Sequence, residues 1–505
     1  MIEKTVYRPN LKQFRNLAGH HNLITVVREF PADLETPVTV YVKLMQQMGP
    51  SFLLESVEGG EKVGRYSFVG LNPREVIELR GRKIIRSKDG ERSERELGGT
   101  EDVLDVLKQE VGGYQPAEIP GHPRFIGGAV GYLSYDTVRF YEQRIPNTAE
   151  RVLDFPEAVF LIADSIVAFD HVQHRLMIMA NARITEDVEA DYLEAISRIE
   201  RITERLLRPL PAVPSRIFLR TGKINRTLTS NKTQPEYEAM VRTAKEHIAA
   251  GDAFQIVLSQ RLERETDAHP FQIYRALRMT NPSPYMFYFD FPEQDMQIVG
   301  ASPEVMVRLD DGVASVRPIA GTRKRGRTPS EDYEMERDLL DDPKEVAEHV
   351  MLIDLGRNDI GRVADYGTVE VSDLMVVERY SHVMHIVSNV SGKLRDGMDA
   401  YDLMRATFPA GTLSGAPKVR AMEIIENLEG ERRALYGGAV GHFGYDGNMD
   451  TCITIRTIVM RGNTLWVQAG AGIVADSDPA KEYEECWNKA RALVVAIERA
   501  EHGLL

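Results

Sequence analysis

Three prolines fall within six residues in the segment 208–215, which reads Arg-Pro-Leu-Pro-Ala-Val-Pro-Ser. Proline fixes φ and has no amide hydrogen, so no helix or internal strand can continue through such a segment. A new helix is predicted to begin near Pro235, because proline is favoured in the first helical turn. We therefore predict a linker at 206–232 that separates an N-terminal α+β domain, 1–205, from a second domain, 233–505.

Both parts of the chain mix strand and helix patterns. Apolar, β-branched runs at 158–169 and 176–180 predict strands, and amphipathic patterns at 102–110 and 191–207 predict helices. With 43% hydrophobic and 27% charged residues, the chain has the composition of a globular protein with a sizeable core.

Charge and composition exclude several classes of protein. The net charge of −14 is opposite to what phosphate binding requires, so general nucleic-acid binding is not expected. The first residues have no apolar signal-peptide core, and the most apolar stretch, 155–169, is interrupted by Glu157 and Asp164. Cys452 and Cys486 are too few for a disulfide framework. We expect a cytoplasmic protein without a membrane span.

Two glycine-rich segments, 127–136 and 437–446, agree at seven of ten positions. The match is compatible with a duplicated hairpin. It is equally compatible with two unrelated strands whose glycines allow close backbone approach. The sequence leaves both interpretations open, and no function depends on them.

Two predicted helices begin alike, with Asp342-Pro343 and with Asp478-Pro479. Each carries two glutamates three residues apart, so both carboxylates project from one face. Such pairs are usually solvated helix surface. If the two faces met, they could hold Mg²⁺, with one glutamate of each pair binding directly and the other through water. The direct ligands would be Glu348 and Glu485, and the water-mediated ones Glu345 and Glu482.

Two glycine-rich segments resemble nucleotide-binding loops only superficially. The segment 411–418 has the wrong spacing for a phosphate-binding loop. The segment 470–475 matches G-x-G-x-x-A after an apolar strand, but the next helix begins only near Pro479. A dinucleotide-dependent dehydrogenase is therefore a remote alternative. The same segment could instead offer a nest of backbone amides for a carboxylate, beside Arg456.

Histidines and a basic run are further candidates. His382 and His385 lie three residues apart in a strand-like segment, so they point to opposite faces and do not form a chelating pair. The basic run 322–327 is typical of a solvated loop, although it could attract a small anion.

Three long motifs, at 318–322, 408–418 and 468–479, resemble those of the chorismate-utilising enzymes, specifically the large subunits of anthranilate synthase. The segment Leu53-Leu-Glu-Ser56 extends the resemblance weakly into the first half. The resemblance implies an α+β fold in which large antiparallel β-sheets pack as a sandwich with helices outside. It also implies that the two glutamate-bearing helices converge on one Mg²⁺ beneath chorismate.

The same resemblance implies roles for individual residues. Glu304 matches the family's acid position, and burial would have to raise its pKa for it to stay protonated. Thr412 and His385 match other active-site positions, and His385 is assigned to the elimination step. The expected contacts of chorismate are Gly321, Thr322, Tyr436, Arg456, Gly470, Ala471 and Gly472.

Two positions bear on the choice among related activities, which include aminodeoxychorismate and isochorismate synthesis. In the family, water-adding members carry a lysine where this chain has Gln255, and aminodeoxychorismate synthases a lysine where it has Ala320. Without either amine, an external nitrogen nucleophile is expected, and the resemblance favours formation of anthranilate and pyruvate from chorismate and ammonia.

The resemblance also implies partners. Neither cysteine lies on a glycine-flanked elbow like that of the family's glutaminases, so a separate glutamine amidotransferase subunit is expected in a hetero-oligomer. L-tryptophan is expected as a feedback inhibitor that binds to two segments, one before and one after the predicted linker in the chain. Its predicted contacts are Glu55, Ser56, Pro284, Tyr285 and Met286. A catalytically silent tryptophan-binding regulator is disfavoured because every active-site position is filled.

Overall fold

A computed structural model describes residues 7–45, 49–56, 64–216, 224–380 and 383–504. Its α-helices are α1 (Leu11–Ala18), α2 (Pro37–Leu44), α3 (Val103–Val111), α4 (Val138–Tyr141), α5 (Val188–Leu206), α6 (Gln234–Ala249), α7 (Pro270–Thr280), α8 (Pro329–Asp341), α9 (Pro343–Gly361), α10 (Ala400–Thr407), α11 (Gly411–Ser414), α12 (Lys418–Glu429) and α13 (Pro479–His502). In this part of the chain, no helix combines the length and the apolarity needed to cross a membrane.

The strands form two sheets in which neighbouring strands are antiparallel. They are β1 (Leu23–Pro31), β2 (Ser51–Glu55), β3 (Tyr66–Leu71), β4 (Glu75–Arg80), β5 (Lys83–Lys88), β6 (Glu91–Glu96), β7 (Gly128–Leu133), β8 (Ala158–Ala163), β9 (Ser165–Asp170), β10 (Arg175–Arg183), β11 (Thr229–Ser230), β12 (Gln255–Glu265), β13 (Tyr285–Phe291), β14 (Met296–Ser302), β15 (Val305–Asp310), β16 (Val313–Val316), β17 (Ile319–Lys324), β18 (Glu370–Arg379), β19 (Val383–Lys393), β20 (Gly415–Ala416), β21 (Ala439–Gly444), β22 (Met449–Ile453), β23 (Thr457–Arg461) and β24 (Thr464–Ile473).

Each sheet contains twelve of the described strands. The first runs β1-β10-β9-β3-β2-β13-β14-β23-β24-β12-β11, with β20 beside β12. The second runs β17-β19-β16-β15-β22-β21-β7-β8-β4-β5-β6, with β18 beside β19. The predicted α+β fold with large antiparallel sheets is therefore confirmed.

The core lies in layers between and outside the sheets. Alternate residues of β13 show this arrangement, because successive side chains of a strand point to opposite faces. Phe287 and Phe289 pack in a cluster shared by the two sheets. Met286 and Tyr288 pack in a second cluster with the helices that cover the first sheet. The sheets thus form the predicted sandwich, with helices outside.

The two halves of the chain meet once in each sheet. Strands that precede the predicted linker form one continuous block, and strands that follow it form the other. The blocks join through β2–β13 in the first sheet and β7–β21 in the second. We refer to these two strand pairs as the seam. The predicted domain bounds remain a prediction, but the seam shows where the halves touch within the sheets.

The two similar glycine-rich segments form one side of the seam. Strands β7 and β21 pair antiparallel with Gly131 opposite Gly441. A Cβ at Gly131 would lie 1.9 Å from the Val159 carbonyl oxygen, and one at Gly441 would lie 2.1 Å from that of Asp450. Both glycines are therefore required by close backbone approach, whether or not the segments arose by duplication.

Candidate active site

Two helices with matching starts carry the glutamate pairs. The Asp342 side chain accepts from the Lys344 and Glu345 amides, at 3.0 and 3.3 Å, and caps α9. Asp478 caps α13 in the same way. The predicted N-termini of both helices are confirmed. Capping at both starts places each glutamate pair in the first two helical turns.

The four glutamates form one electrostatic cluster. Burial raises the pKa of Glu348, and the charges of Glu345 and Glu485 raise it further. Burial likewise raises the pKa of Glu482, with a further contribution from Glu485. The charges on α9 and α13 therefore act on one another, and convergence of the four glutamates on one metal ion stays a prediction.

The cluster has the chemistry of a site for a hard cation, although no three His, Cys, Asp or Glu side chains among the described residues lie close enough to be a preformed metal site. Gln255 Nε2 donates to Glu348 Oε1 at 3.0 Å. Lys489 Nζ lies 2.8 Å from Glu485 Oε1. Partly buried carboxylates that repel one another are stabilised by a divalent cation, and oxygen ligands fit Mg²⁺.

Glu304 lies between β14 and β15 and has the properties of a general acid. Thr412 Oγ1, from the short helix α11, donates to its Oε1 at 3.0 Å. Burial raises the pKa of Glu304 to about 7, although Thr412, Arg456 and Lys489 each oppose the rise. A carboxyl with this pKa is partly protonated at neutral pH, and a protonated carboxyl is what a general acid needs.

Arg456 lies in electrostatic range of Glu304. Its backbone has φ of 48°, in the left-handed region. Burial lowers the pKa of its guanidinium, and the charge of Glu304 opposes this. Arginine nevertheless stays charged in proteins, so the half-buried Arg456 is a strong site for a carboxylate of a ligand.

His385 lies on β19 and faces the motif at 318–322. Its Nδ1 lies 2.9 Å from the Gly321 carbonyl oxygen and 3.1 Å from Thr322 Oγ1. A carbonyl oxygen only accepts, so Nδ1 carries the hydrogen and Nε2 is left as the basic nitrogen. Burial lowers the pKa of His385, which favours this neutral form. His382 lies outside the described residues.

The segment Gly470–Gly472 is part of a strand and not a nest in a loop, which corrects one expectation. It lies in β24 and pairs with β12, with Ala471 opposite Leu258. An antiparallel strand without a following helix cannot form a dinucleotide fingerprint, so the dehydrogenase alternative is wrong. A Cβ on Gly470 would lie 2.7 Å from Tyr436 Oη. The glycine thus gives Tyr436 room beside the strand.

The basic run 322–327 is also engaged within the protein. Arg323 Nη1 donates to Glu345 Oε1 at 3.1 Å, and its Nη2 donates to Asp342 Oδ2 at 2.9 Å. Arg325 forms an ion pair with Asp332 at 2.6 Å. These two guanidinium groups hold α8 and α9 against β17 instead of offering a free anion site.

Two groups that the sequence analysis did not single out connect these elements. Lys489 Nζ donates to the Gly470 carbonyl oxygen at 2.9 Å. Its charge opposes the rise in the pKa of Glu304, Glu348 and Glu482 that burial causes. Its position one turn after Glu485 on α13 was the available signal. The buried Arg433 donates to the Leu413 carbonyl oxygen at 2.6 Å, which fixes the helix of Thr412.

The segments predicted to bind tryptophan meet at the seam. Glu55 on β2 lies opposite Met286 on β13. Glu55 already accepts from Tyr274 and from Arg278, whose Nε lies 3.1 Å from Glu55 Oε2. The buried Ser56 Oγ has no hydrogen-bond partner among the described residues. Two segments more than 200 positions apart in the chain are therefore brought side by side.

Comparison with known proteins gives consistent results. The profile of the chorismate binding enzyme family matches residues 49–495. The chain is 48% identical over 498 residues to anthranilate synthase component 1 of Acetivibrio thermocellus, covering 98% of this chain and 99% of that protein. It is 47% identical over 501 residues to the protein of the same name from Pseudomonas aeruginosa, covering 98% and 100%.

Solved structures agree with the fold. The crystal structure of anthranilate synthase component I from Streptococcus pneumoniae matches with a TM-score of 0.72 and 35% identity, covering 86% of this chain and 95% of that one. The menaquinone-specific isochorismate synthase from Escherichia coli matches with a TM-score of 0.69 at 18% identity, covering 96% and 98%. The second match supports the fold alone.

Proposed function

The chain belongs to the chorismate-binding enzyme family, and from that premise we propose that it is an anthranilate synthase component 1, which forms anthranilate and pyruvate from chorismate and ammonia. This is the first committed step of tryptophan biosynthesis. The full-length similarity to relatives of that name supports the assignment. The observation that carries it within the site is Glu304, whose carboxyl has its pKa raised by burial to about 7 within electrostatic range of Arg456.

Chorismate has two carboxylates and a ring hydroxyl, and different residues of the site would bind or protonate each of these groups. Arg456, Tyr436 and the strand at Gly470–Gly472 would bind one carboxylate. Gly321 and Thr322 would line the pocket. Glu304 would protonate the departing hydroxyl as ammonia adds to the ring, so that water leaves. Neutral His385 would accept the ring proton through Nε2 as pyruvate is eliminated and the ring becomes aromatic.

Magnesium is the proposed cofactor of this site. Glu348 and Glu485 would hold it directly, and Glu345 and Glu482 would hold it through water. When bound, the ion supplies positive charge for the second carboxylate of chorismate. The like charges that raise the pKa of Glu348 in the absence of a cation support this assignment.

Related activities are less well supported by the pocket. Gln255 uses its amide to donate to Glu348 at 3.0 Å, and position 320 is an alanine on β17. Neither side chain can activate water or attack the ring as a lysine amine does. Isochorismate and aminodeoxychorismate synthesis therefore remain the alternatives, to be separated from anthranilate formation by the product made.

We further propose a separate glutaminase subunit as the source of ammonia from glutamine, in a cytoplasmic hetero-oligomer. Cys452 and Cys486 are buried, each with 1% exposure. Burial raises the pKa of both thiols, that of Cys486 to about 11, so neither forms the thiolate that glutamine hydrolysis requires.

Inhibition by L-tryptophan is the third part of the proposal. Pro284 and Met286 offer apolar and polarizable surface for an indole ring, whereas the Tyr285 side chain lies on the opposite face of β13, towards the sandwich interior. Ser56 offers a buried hydroxyl without a partner. Glu55 would meet the ammonium group, sharing its carboxylate with Arg278. A ligand held at the seam by both halves stabilises one arrangement of them over another.

One assay tests the reaction. The purified chain with chorismate, Mg²⁺ and an ammonium salt should produce anthranilate fluorescence, and glutamine should not replace ammonium unless a glutaminase subunit is added. Chromatography of the product distinguishes anthranilate from isochorismate and aminodeoxychorismate. Formation of either of these in place of anthranilate would reject the assignment.

A further inference from the structure

A polar contact joins the two sheets directly behind the predicted tryptophan segment. Tyr285 belongs to the side of β13 that faces the sandwich interior. Its hydroxyl donates to Asp450 Oδ1 on β22 at 2.8 Å. Arg308 on β15 donates through Nη2 to Asp450 Oδ2 at 2.6 Å and to Tyr285 Oη at 3.2 Å. We name Tyr285, Asp450 and Arg308 the intersheet bridge.

The bridge leads to Glu304 along the strands of the second sheet. Strand β15, which carries Arg308, begins at the residue after Glu304. Strand β22, which carries Asp450, ends at Ile453, whose amide donates to the Glu304 carbonyl oxygen at 3.0 Å. Arg456 follows three residues later in the chain. A displacement of either strand therefore moves the acid, the arginine or both.

A second connection runs through the first sheet. Tyr285 lies opposite Ser302 in the β13–β14 ladder. The Glu304 amide donates to Ser302 Oγ at 3.4 Å. The adjacent Ala301 amide donates to the Arg456 carbonyl oxygen at 3.1 Å. The tryptophan segment is thus connected to Glu304 and Arg456 through strands of both sheets.

The bridge is a specific interaction and not a solvated surface pair. Arg308 and Asp450 lie opposite each other across the β15–β22 ladder, and their side chains are 33% and 26% exposed. His442 lies opposite Asp450 on the other side, but burial lowers its pKa to about 4, so Arg308 is the cation that faces the carboxylate. The Tyr285 hydroxyl completes the set and is the only member in the first sheet.

We propose that the intersheet bridge couples the tryptophan segment at the seam to Glu304 and Arg456. A ligand packed against Pro284–Met286 biases the position of β13, and the Tyr285 hydroxyl transfers that bias to β22 and β15. Asp450 and Arg308 act as positioning residues, because they lie on the two strands that adjoin Glu304 and are not among the proposed contacts of chorismate. The inference rests on the proposed tryptophan inhibition and names its route.

The test measures coupling and not activity alone. Tryptophan binding to the full chain is measured by calorimetry with and without saturating chorismate and Mg²⁺, without ammonium. The ratio of the two dissociation constants is the coupling factor, for which roughly 5- to 150-fold is typical of allosteric proteins. Tyr285→Phe removes one hydroxyl and keeps the ring, and Asp450→Asn removes the charge that holds Arg308.

Both variants should still bind tryptophan. Their coupling factor should be at most about twofold, because chorismate no longer changes the affinity for tryptophan once the bridge is broken. A matched control is Glu29→Gln, which breaks the Arg175–Glu29 pair at 3.0 Å between β10 and the edge strand β1. This control should keep the native factor. Should Asp450→Asn fail to fold, Tyr285→Phe decides the question.

The outcomes separate this inference from the function it rests on. Native coupling in both bridge variants overturns the bridge and leaves the reaction and the inhibitor untouched. A native chain that does not bind tryptophan overturns the proposed inhibition together with the bridge. A native chain that couples the two ligands through the bridge but forms no anthranilate retains the bridge and overturns the reaction.

Discussion

Glu304 illustrates how single residues acquire their chemistry in this protein. Its carboxyl is buried between the ends of two strands, which raises its pKa to about 7, and three polar neighbours keep the rise from going further. A lower pKa would leave no proton to give at neutral pH, and a much higher one would weaken the acid. The balance between burial and these neighbours therefore sets the working pH of the site.

The first prediction concerns this balance. Because the protonated form of Glu304 is the proposed acid, kcat/KM should fall as the pH rises through about 7. The Glu304→Gln variant should lose about 10²- to 10⁴-fold in kcat with ammonia, the usual worth of a general acid. Anthranilate formation across pH 5.5 to about 9, corrected for the fraction of ammonium that is free ammonia, measures both. An alkaline limb that survives in Glu304→Gln would assign it to another group.

Thr412 carries the second prediction. Its hydroxyl donates to Glu304 at 3.0 Å and so stabilises the ionised carboxylate. Thr412→Val removes this donor at nearly constant shape, and the pKa of Glu304 should rise because the charged form loses a hydrogen bond. The alkaline limb should therefore move to higher pH, as read from the pH profile of kcat/KM. Thr412→Ser, which keeps the hydroxyl, should leave the limb in place. A limb that is unmoved in Thr412→Val contradicts this coupling.

At the scale of elements, the two capped helices show how function arises from convergence. Each glutamate pair is unremarkable on its own helix, and the fold brings the two pairs near enough for the charge of Glu485 on α13 to raise the pKa of Glu348 on α9. The caps at Asp342 and Asp478 fix where each helix begins, and hence the turn on which each carboxylate lies. A shift in either cap position would rotate a pair away from the cluster.

The third prediction tests that cluster. Glu348→Gln and Glu485→Gln should each lose Mg²⁺-dependent turnover by at least about 10²-fold, because a neutral amide is a poor ligand for a hard cation. Titration of activity with Mg²⁺ gives the measurement. Glu484→Gln is the matched control, since Glu484 is the neighbour of Glu485 on α13 and projects from a different side of the helix. Near-normal Mg²⁺ dependence in either glutamate variant removes it from the metal site.

Elements were predictable from the sequence where local chemistry decides them. The starts of both glutamate helices followed from the Asp-Pro pairs, and the end of regular structure after α5 followed from the prolines at 209–214. Periodicity could not tell that Gly470–Gly472 lies inside β24, because glycines suggest loops unless a strand partner is known. The intersheet bridge was equally hidden, since Tyr285, Arg308 and Asp450 come together only when the sheets pack.

At the scale of the whole molecule, the seam explains how a chain with a proline-rich linker can act as one body. Each half contributes only part of each sheet. In each sheet a single strand pair joins the part from the first half to the part from the second. The interior cluster between the sheets also contains residues from both halves, for example Val159 from the first half and Phe289 from the second. The halves therefore share a core although they are consecutive in the chain.

The fourth prediction follows from this shared core. A protease site inserted after Arg208, in the exposed segment before Pro214, should allow cleavage without separation of the fragments. The seam and the interior cluster hold the halves by buried apolar surface, which does not depend on chain continuity. Size-exclusion chromatography before and after cleavage provides the measurement, with denaturant as the control for complete cutting. Fragments that separate in buffer would show that the linker, and not the seam, unites the protein.

The seam also constrains how the protein is made. Strand β7 emerges from the ribosome about 300 residues before its partner β21, and at about 5–20 residues per second it waits at least about fifteen seconds. During that time β7 is an open sheet edge, and its apolar side chains have no partner strand on that side. Strand β2 is an open edge for a shorter time, until β13 is made. Nascent chains should therefore need chaperone protection until synthesis is nearly complete, and conditions that slow translation should increase aggregation during expression.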